Sequence, residues 1–234
     1  MTPPIDTALP QGDAKVAAVR SMFDTIAPRY DLVNRLMTFR MDVGWRQRAV
    51  SSLGLVPGSV VADLACGTGD FCFELQRKGM VALGFDLSFG MLAAAPRPFP
   101  RAQADVLRLP LADATLDGVT CGFALRNLVE LDGFFDELAR VVRPGGRISL
   151  LDVAQPPNPI LRFGHGIYFG KVVPLVGGLL SDKSAYAYLP KSVAYLPEPE
   201  EMVASLRRSG FSDARRTLYS VGISQLFTGT RDRV

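Results

Sequence analysis

The chain has 234 residues, 48% of them hydrophobic and 21% charged, and carries a formal net charge of +3. That length supports one well-buried core and leaves too little chain for two ordinary domains joined by a linker. Its 26 Lys and Arg are interspersed with 23 Asp and Glu instead of forming blocks, so the electrostatic footprint of a nucleic-acid binder is excluded.

The opening stretch MTPPIDTALPQGD has neither a basic n-region nor an apolar h-region, and no apolar run reaches the roughly 18 residues of a membrane span. A cytoplasmic chain is expected. Cys66, Cys72 and Cys121 are odd in number and lack CxxC spacing, and His165 is the single histidine. Neither a disulfide framework nor a metal site is expected, and the cysteines read as small buried thiols.

Residues 1–15 are Pro- and Gly-rich without periodicity and read as a disordered lead. From Val16, apolar residues at Val19, Met22, Phe23 and Ile26 predict an amphipathic helix closed by Ala27 and Pro28. Further apolar residues between Leu32 and Met41, and a helix from Trp45 toward Leu53, complete a helical cap over 16–56. This region is too apolar to be a solvated linker.

VVADLACGTGD (60–70) then reads as a buried strand, a tight glycine turn and the start of a helix, Phe71–Lys78. Glycines at such a turn let backbone N–H groups approach a ligand, which makes Gly67, Thr68 and Gly69 a cradle. Cys72 occupies the third-glycine position of GxGxxG, and no GK[ST] follows, so neither a dinucleotide fingerprint nor a P-loop is present. A second strand, Val81–Asp86, ends in a carboxylate placed to hold ribose hydroxyls. A helix over Ser88–Ala95, a short strand ending at Asp105, and a strand from Gly118 to Phe123 follow. Next come a helix over Leu131–Val142, the turn RPGGR, and a strand over Ile148–Val153. A helix over Pro199–Ser209 leads to two closing strands, the last (Val221–Thr230) pairing antiparallel. Residues 155–199 are too long for an ordinary connection and sit after a strand's C-terminal end, so they read either as a substrate lid or as extra core packing.

The glycine loop, the acid after the second strand and the missing third glycine together resemble the S-adenosylmethionine site of class I methyltransferases. That implies an α/β, Rossmann-like fold with a mostly parallel seven-stranded sheet and an antiparallel last strand. Three further stretches narrow the resemblance: MFDTIAPRYDLVNRLMTFRMDVGWR (22–46), GFALRNL (122–128) and AYAYLPKSVAYLPEPEEM (185–202). Together with DLACGTGD and RPGGR they resemble the ubiquinone/menaquinone biosynthesis C-methyltransferases, the UbiE/COQ5 family. Cys66, Ala124, Leu111 and Leu116 depart from the usual residues of that family without removing a charge, and the 165–180 stretch resembles it less closely.

The resemblance implies S-adenosylmethionine as cofactor, with Asp63, Ala65, Gly67, Thr68, Gly69, Asp86, Leu87, Asp105, Val106 and Gly122 around it. Asp105 would hold the adenine amino group and Val106 would pack on the ring. It also implies a polyprenylated quinol as the acceptor, with demethylmenaquinol first and a demethoxyquinol second. A ring carbon becomes nucleophilic only when a phenol ionises, with a pKa near that of Tyr, about 10. Arg126 is therefore expected to stabilise a phenolate, and Asn127 to orient a hydroxyl or a water that takes the proton. Tyr30, His165, Tyr186 and Tyr188 are the expected acceptor contacts. A homodimer and peripheral contact with the inner face of the cell membrane are further expectations. The rival readings are a relative acting on a soluble aromatic and a non-catalytic scaffold.

Overall fold

A computed structural model describes residues 11–173 and 195–233, together with Leu175 and Ser192. Tyr186 and Tyr188 lie outside the described residues. α1 (Gly12–Ile26) starts ahead of Val16, inside the stretch expected to be disordered. The reason is tertiary: buried Lys15 donates through Nζ to the carbonyl oxygens of Arg126 at 3.2 Å and Leu128 at 2.8 Å. Pro28 closes the helix as expected, in a 3₁₀ turn over Ala27–Arg29 that leads into α2 (Tyr30–Met37). Phe39 and Arg40, both left-handed (φ 50° and 61°), turn the chain into α3 (Met41–Ser52).

The strands are β1 (Val60–Leu64), β2 (Val81–Asp86), β3 (Arg101–Gln103), β4 (Leu116–Gly122), β5 (Val142–Val153), β6 (Arg215–Tyr219) and β7 (Ser224–Thr230). Between them run α4 (Asp70–Arg77), α5 (Phe89–Ala93), α6 (Leu131–Val141), α7 (Pro159–Ile167) and α8 (Pro199–Arg208). They form one seven-stranded sheet in the order β3-β2-β1-β4-β5-β7-β6, in which β7 alone runs antiparallel to both its neighbours. The order reverses between β1 and β4, which opens a crevice at their C-terminal ends.

Successive strand residues supply opposite faces. Ala62, Leu64, Val119 and Leu150 pack on one side with Phe134, Phe135 and Leu138 of α6 and Leu206 of α8. Val61, Leu151 and Leu226 pack on the other with Trp45, Ala49 and Val50 of α3 and Leu75 of α4. α3 is thus a layer of the core itself. Truncating a fully buried phenylalanine such as Phe134 would cost about 3–5 kcal/mol.

Several strand boundaries differ from the sequence reading. β5 begins at Val142, ahead of RPGGR, because Val142 already pairs with Leu116; pairing then resumes at Gly118 and Arg147 beyond an irregularity. β3 ends at Gln103 instead of Asp105, and its three residues are all exposed at the sheet edge. β7 begins at Ser224 because residues 220–222 form a 3₁₀ turn with Val221 at φ 53°.

Candidate active site

Above the crevice lie two adjoining cavities that share Phe23, Tyr30 and Phe123 as walls. The first is built on the β1–α4 turn, where Ala65, Gly67 and Gly69 hold φ values of 52°, 56° and 93°. At Gly69, which caps α4, a Cβ would meet the Phe99 ring at 2.3 Å, so only glycine fits. Gly69 therefore shapes the turn from behind, while Asp63, Ala65, Gly67 and Thr68 form the wall. Asp86, Leu87, Asp105, Val106 and Gly122 complete it, so the residues named for the cofactor other than Gly69 share one wall.

Asp86 ties two loops together: its Oδ2 accepts from Gly67 N at 2.7 Å and its Oδ1 from Ser88 N at 2.8 Å. Burial pushes its carboxyl above the ordinary range despite those bonds. Asp63 is buried at the back of the same cavity and accepts from Thr120 Oγ1 at 2.9 Å, and burial pushes its pKa up to about 8. The cap is fastened to this wall by polar contacts. Thr68 Oγ1 donates to Asp31 at 2.7 Å, Arg35 pairs with Asp70 at 2.7 Å, and Arg46 pairs with Asp42 and Asp70. Asp24 of α1 accepts from Ser88 Oγ at 2.6 Å and Gly90 N at 2.9 Å.

The second cavity is apolar, of about 400 Å³, and lies between the cap, the Phe123 turn and α7. Trp45, Met37, Val153 and Ile223 line it along with Arg126, His165 and Tyr168. His165 stacks on Phe169, with ring centroids 4.4 Å apart, and its Nε2 is buried with no hydrogen-bond partner among the described residues. Burial holds its pKa below the ordinary value, so the imidazole is neutral at pH 7. Tyr168 donates its hydroxyl to Met37 O at 2.8 Å and joins α7 to the cap.

Arg126 and Asn127 stand together in the 3₁₀ turn after β4 but line different cavities: Arg126 the apolar one, Asn127 the cofactor one. Asp105 is exposed and lies on the same side as Asn127. Arg126 is not a free charge. Its Nη1 pairs with fully buried Asp152 at 2.5 Å, and its Nε donates to Ser192 Oγ at 3.1 Å. Asp152 was missed, although the signal was present: an acid near the C-terminal end of a strand, in LLDV. Tyr168 and Trp45 were missed because aromatic residues in apolar surroundings look like ordinary packing.

The profile of the ubiE/COQ5 methyltransferase family matches residues 11–231. The chain belongs to that family. It is 37% identical over 231 residues to the demethylmenaquinone methyltransferase of Roseiflexus castenholzii, covering 95% of this chain and 97% of that protein. It is 40% identical over 221 residues to the ubiquinone/menaquinone biosynthesis C-methyltransferase UbiE of Syntrophotalea carbinolica, covering 91% and 93%. Among solved structures, a SAM-dependent methyltransferase of Thermotoga maritima shares the fold with a TM-score of 0.65 at 17% identity, covering 91% of this chain and 99% of that one. Phosphoethanolamine N-methyltransferase 2 of Haemonchus contortus, in complex with S-adenosyl-L-methionine, shares it with a TM-score of 0.59 at 14% identity, covering 80% of this chain and about half (52%) of that one. As a ubiE/COQ5 member the chain is an S-adenosylmethionine-dependent methyltransferase. The first cavity fits that cofactor: the wall at Gly67 has no side chain, and carboxylates stand at both strand ends. Among the described residues, no helix is long and apolar enough to cross a membrane.

Proposed function

We propose that this enzyme methylates a ring carbon of a polyprenylated hydroquinone, converting demethylmenaquinol to menaquinol. The observation that carries this reading is the apolar cavity directly beside the cofactor cavity, with Tyr30 and Phe123 on the shared wall. An aromatic ring carrying a long apolar tail matches such a lining better than a soluble polar acceptor does. The names of the relatives at 37% and 40% identity support it.

The bound cofactor supplies an electrophilic methyl on a sulfonium. The chain's own residues place the two partners and exclude water. Asp86, Asp105 and Val106 hold the nucleoside end, and the Gly67 turn admits the rest. Asp63 offers a carboxylate to the cofactor's positive charge. Arg126, oriented by Asp152, offers guanidinium N–H donors to a ring oxygen of the acceptor and stabilises it as it ionises. His165 Nε2, neutral and unpartnered, receives a hydrogen bond from the other ring hydroxyl.

The test is transfer of labelled methyl from S-adenosylmethionine to reduced and oxidised demethylmenaquinone in detergent or vesicles. Label in a non-exchangeable ring position, from the reduced acceptor only, is the expected result. Cofactor binding without transfer to any quinol would overturn the acceptor assignment.

A further inference from the structure

The mouth of the acceptor cavity is ringed by bulky apolar side chains that fold stability does not explain. Phe39, Ile160 and Val221 come from three separate elements, line the cavity, and are 72%, 80% and 66% exposed. Phe39 and Val221 also sit in left-handed backbone. For a β-branched residue such as Val221 that conformation is a real strain, and exposed apolar residues do not repay it through burial.

α7 tells the same story. None of its residues is buried. At helical spacing, Ile160, Leu161, Gly164 and His165 line the cavity, while Phe163 and Ile167 lie beside that face and continue the apolar stripe that Ile160 begins. Phe163 is 73% exposed. The Phe39 ring lies 5.9 Å from the Tyr168 ring at the end of α7, so the cap turn and the helix form one continuous rim.

The charge on this rim has one sign. Residues 35–41, 159–173 and 219–223 contain no Asp or Glu, whereas Arg40, Arg162 and Lys171 are exposed there. An apolar stripe with flanking cations is the composition of an interfacial helix on an anionic bilayer.

We propose that this rim is the surface by which the enzyme docks on an anionic lipid bilayer, with Phe163 and Ile167 entering the acyl boundary. The inference rests on the polyprenylated-quinol reading for its purpose. Docking in this orientation joins the cavity mouth to the hydrocarbon phase, so the tail of the acceptor never crosses water.

The test is co-sedimentation of the full chain with vesicles of phosphatidylcholine, with or without an equal part of phosphatidylglycerol. The unaltered chain is expected to sediment with the mixed vesicles and less with the neutral ones. Phe163→Glu with Ile167→Glu should weaken that binding about tenfold or more. Arg40→Glu with Lys171→Glu should reduce it and remove the lipid preference. Val56→Glu is the control, an exposed apolar residue ahead of β1 and therefore at the opposite edge of the sheet. It should bind as the unaltered chain does. All variants should methylate a short-chain quinol in solution within about twofold, and the Phe163/Ile167 variant should lose activity on the tailed quinol in vesicles.

Equal vesicle binding by the Phe163/Ile167 variant and the unaltered chain would overturn the proposal. So would self-association in sedimentation velocity that the same variant abolishes without any vesicle binding, since the rim would then be a contact with a second copy. If vesicle binding follows the expected pattern while no quinol is methylated, the acceptor reading falls and the docking surface stands.

Discussion

Arg126 Nη1 lies 2.5 Å from Asp152 Oδ1, and the two side chains are almost wholly buried beside the apolar cavity. Removing the arginine would leave a buried carboxylate uncompensated, which costs about 3–5 kcal/mol. Arg126→Ala is therefore expected to lose thermal stability along with turnover. Arg126→Met combined with Asp152→Leu should recover much of the melting temperature and none of the turnover. Recovery of turnover in the double variant would show that the arginine serves packing alone.

Asp86 spends both oxygens on backbone amides of two different loops while facing the cofactor cavity. Asp86→Ala is expected to weaken cofactor binding by about 1–3 kcal/mol through lost ribose hydrogen bonds and slackened loops. Isothermal titration with S-adenosylmethionine reads this directly, and unchanged affinity would remove Asp86 from the site.

Burial raises Asp63 from its ordinary 3.8 to about 8. The folded chain thus holds this proton more tightly than the unfolded chain does. The resulting stability is fully present below the ordinary value and is lost as pH rises toward 8. Asp63→Asn should flatten the fall in melting temperature across that window. The cofactor's positive charge favours the ionised carboxylate, so cofactor binding should release protons at pH 7. Titration calorimetry in buffers of different ionisation enthalpy measures that release, and a release unaltered by Asp63→Asn would refer it to another group.

His165 presents an unpartnered Nε2 and is held neutral by burial. His165→Leu is expected to raise KM for the quinol by roughly two- to tenfold, the worth of one hydrogen bond, and His165→Gln by less. Cofactor affinity should stay unchanged. A drop in kcat of about 10²-fold or more would instead make His165 the base.

The glycine turn, the carboxylate ending β2 and the alternation of strands with helices were legible because each rests on local pattern: an apolar run, a turn residue, an acid at a strand end. The start of α1 was not, because Lys15 is ordered by carbonyls more than a hundred positions away. The division of Arg126 from Asn127 was equally hidden, since neighbours in a 3₁₀ turn point to different walls and sequence spacing alone does not say which. Asp152 shows a third kind of failure: its position was readable, but its role depends on a partner brought to it by the fold.

β7 lies between β5 and β6, which do not touch each other in the sheet. A nascent chain that has made everything up to β6 therefore lacks the native partner of that strand, and β6 joins the sheet only through β7. Ile223, just ahead of β7, also lines the acceptor cavity. The cofactor half of the site can take shape early in synthesis, whereas the acceptor half is assembled last.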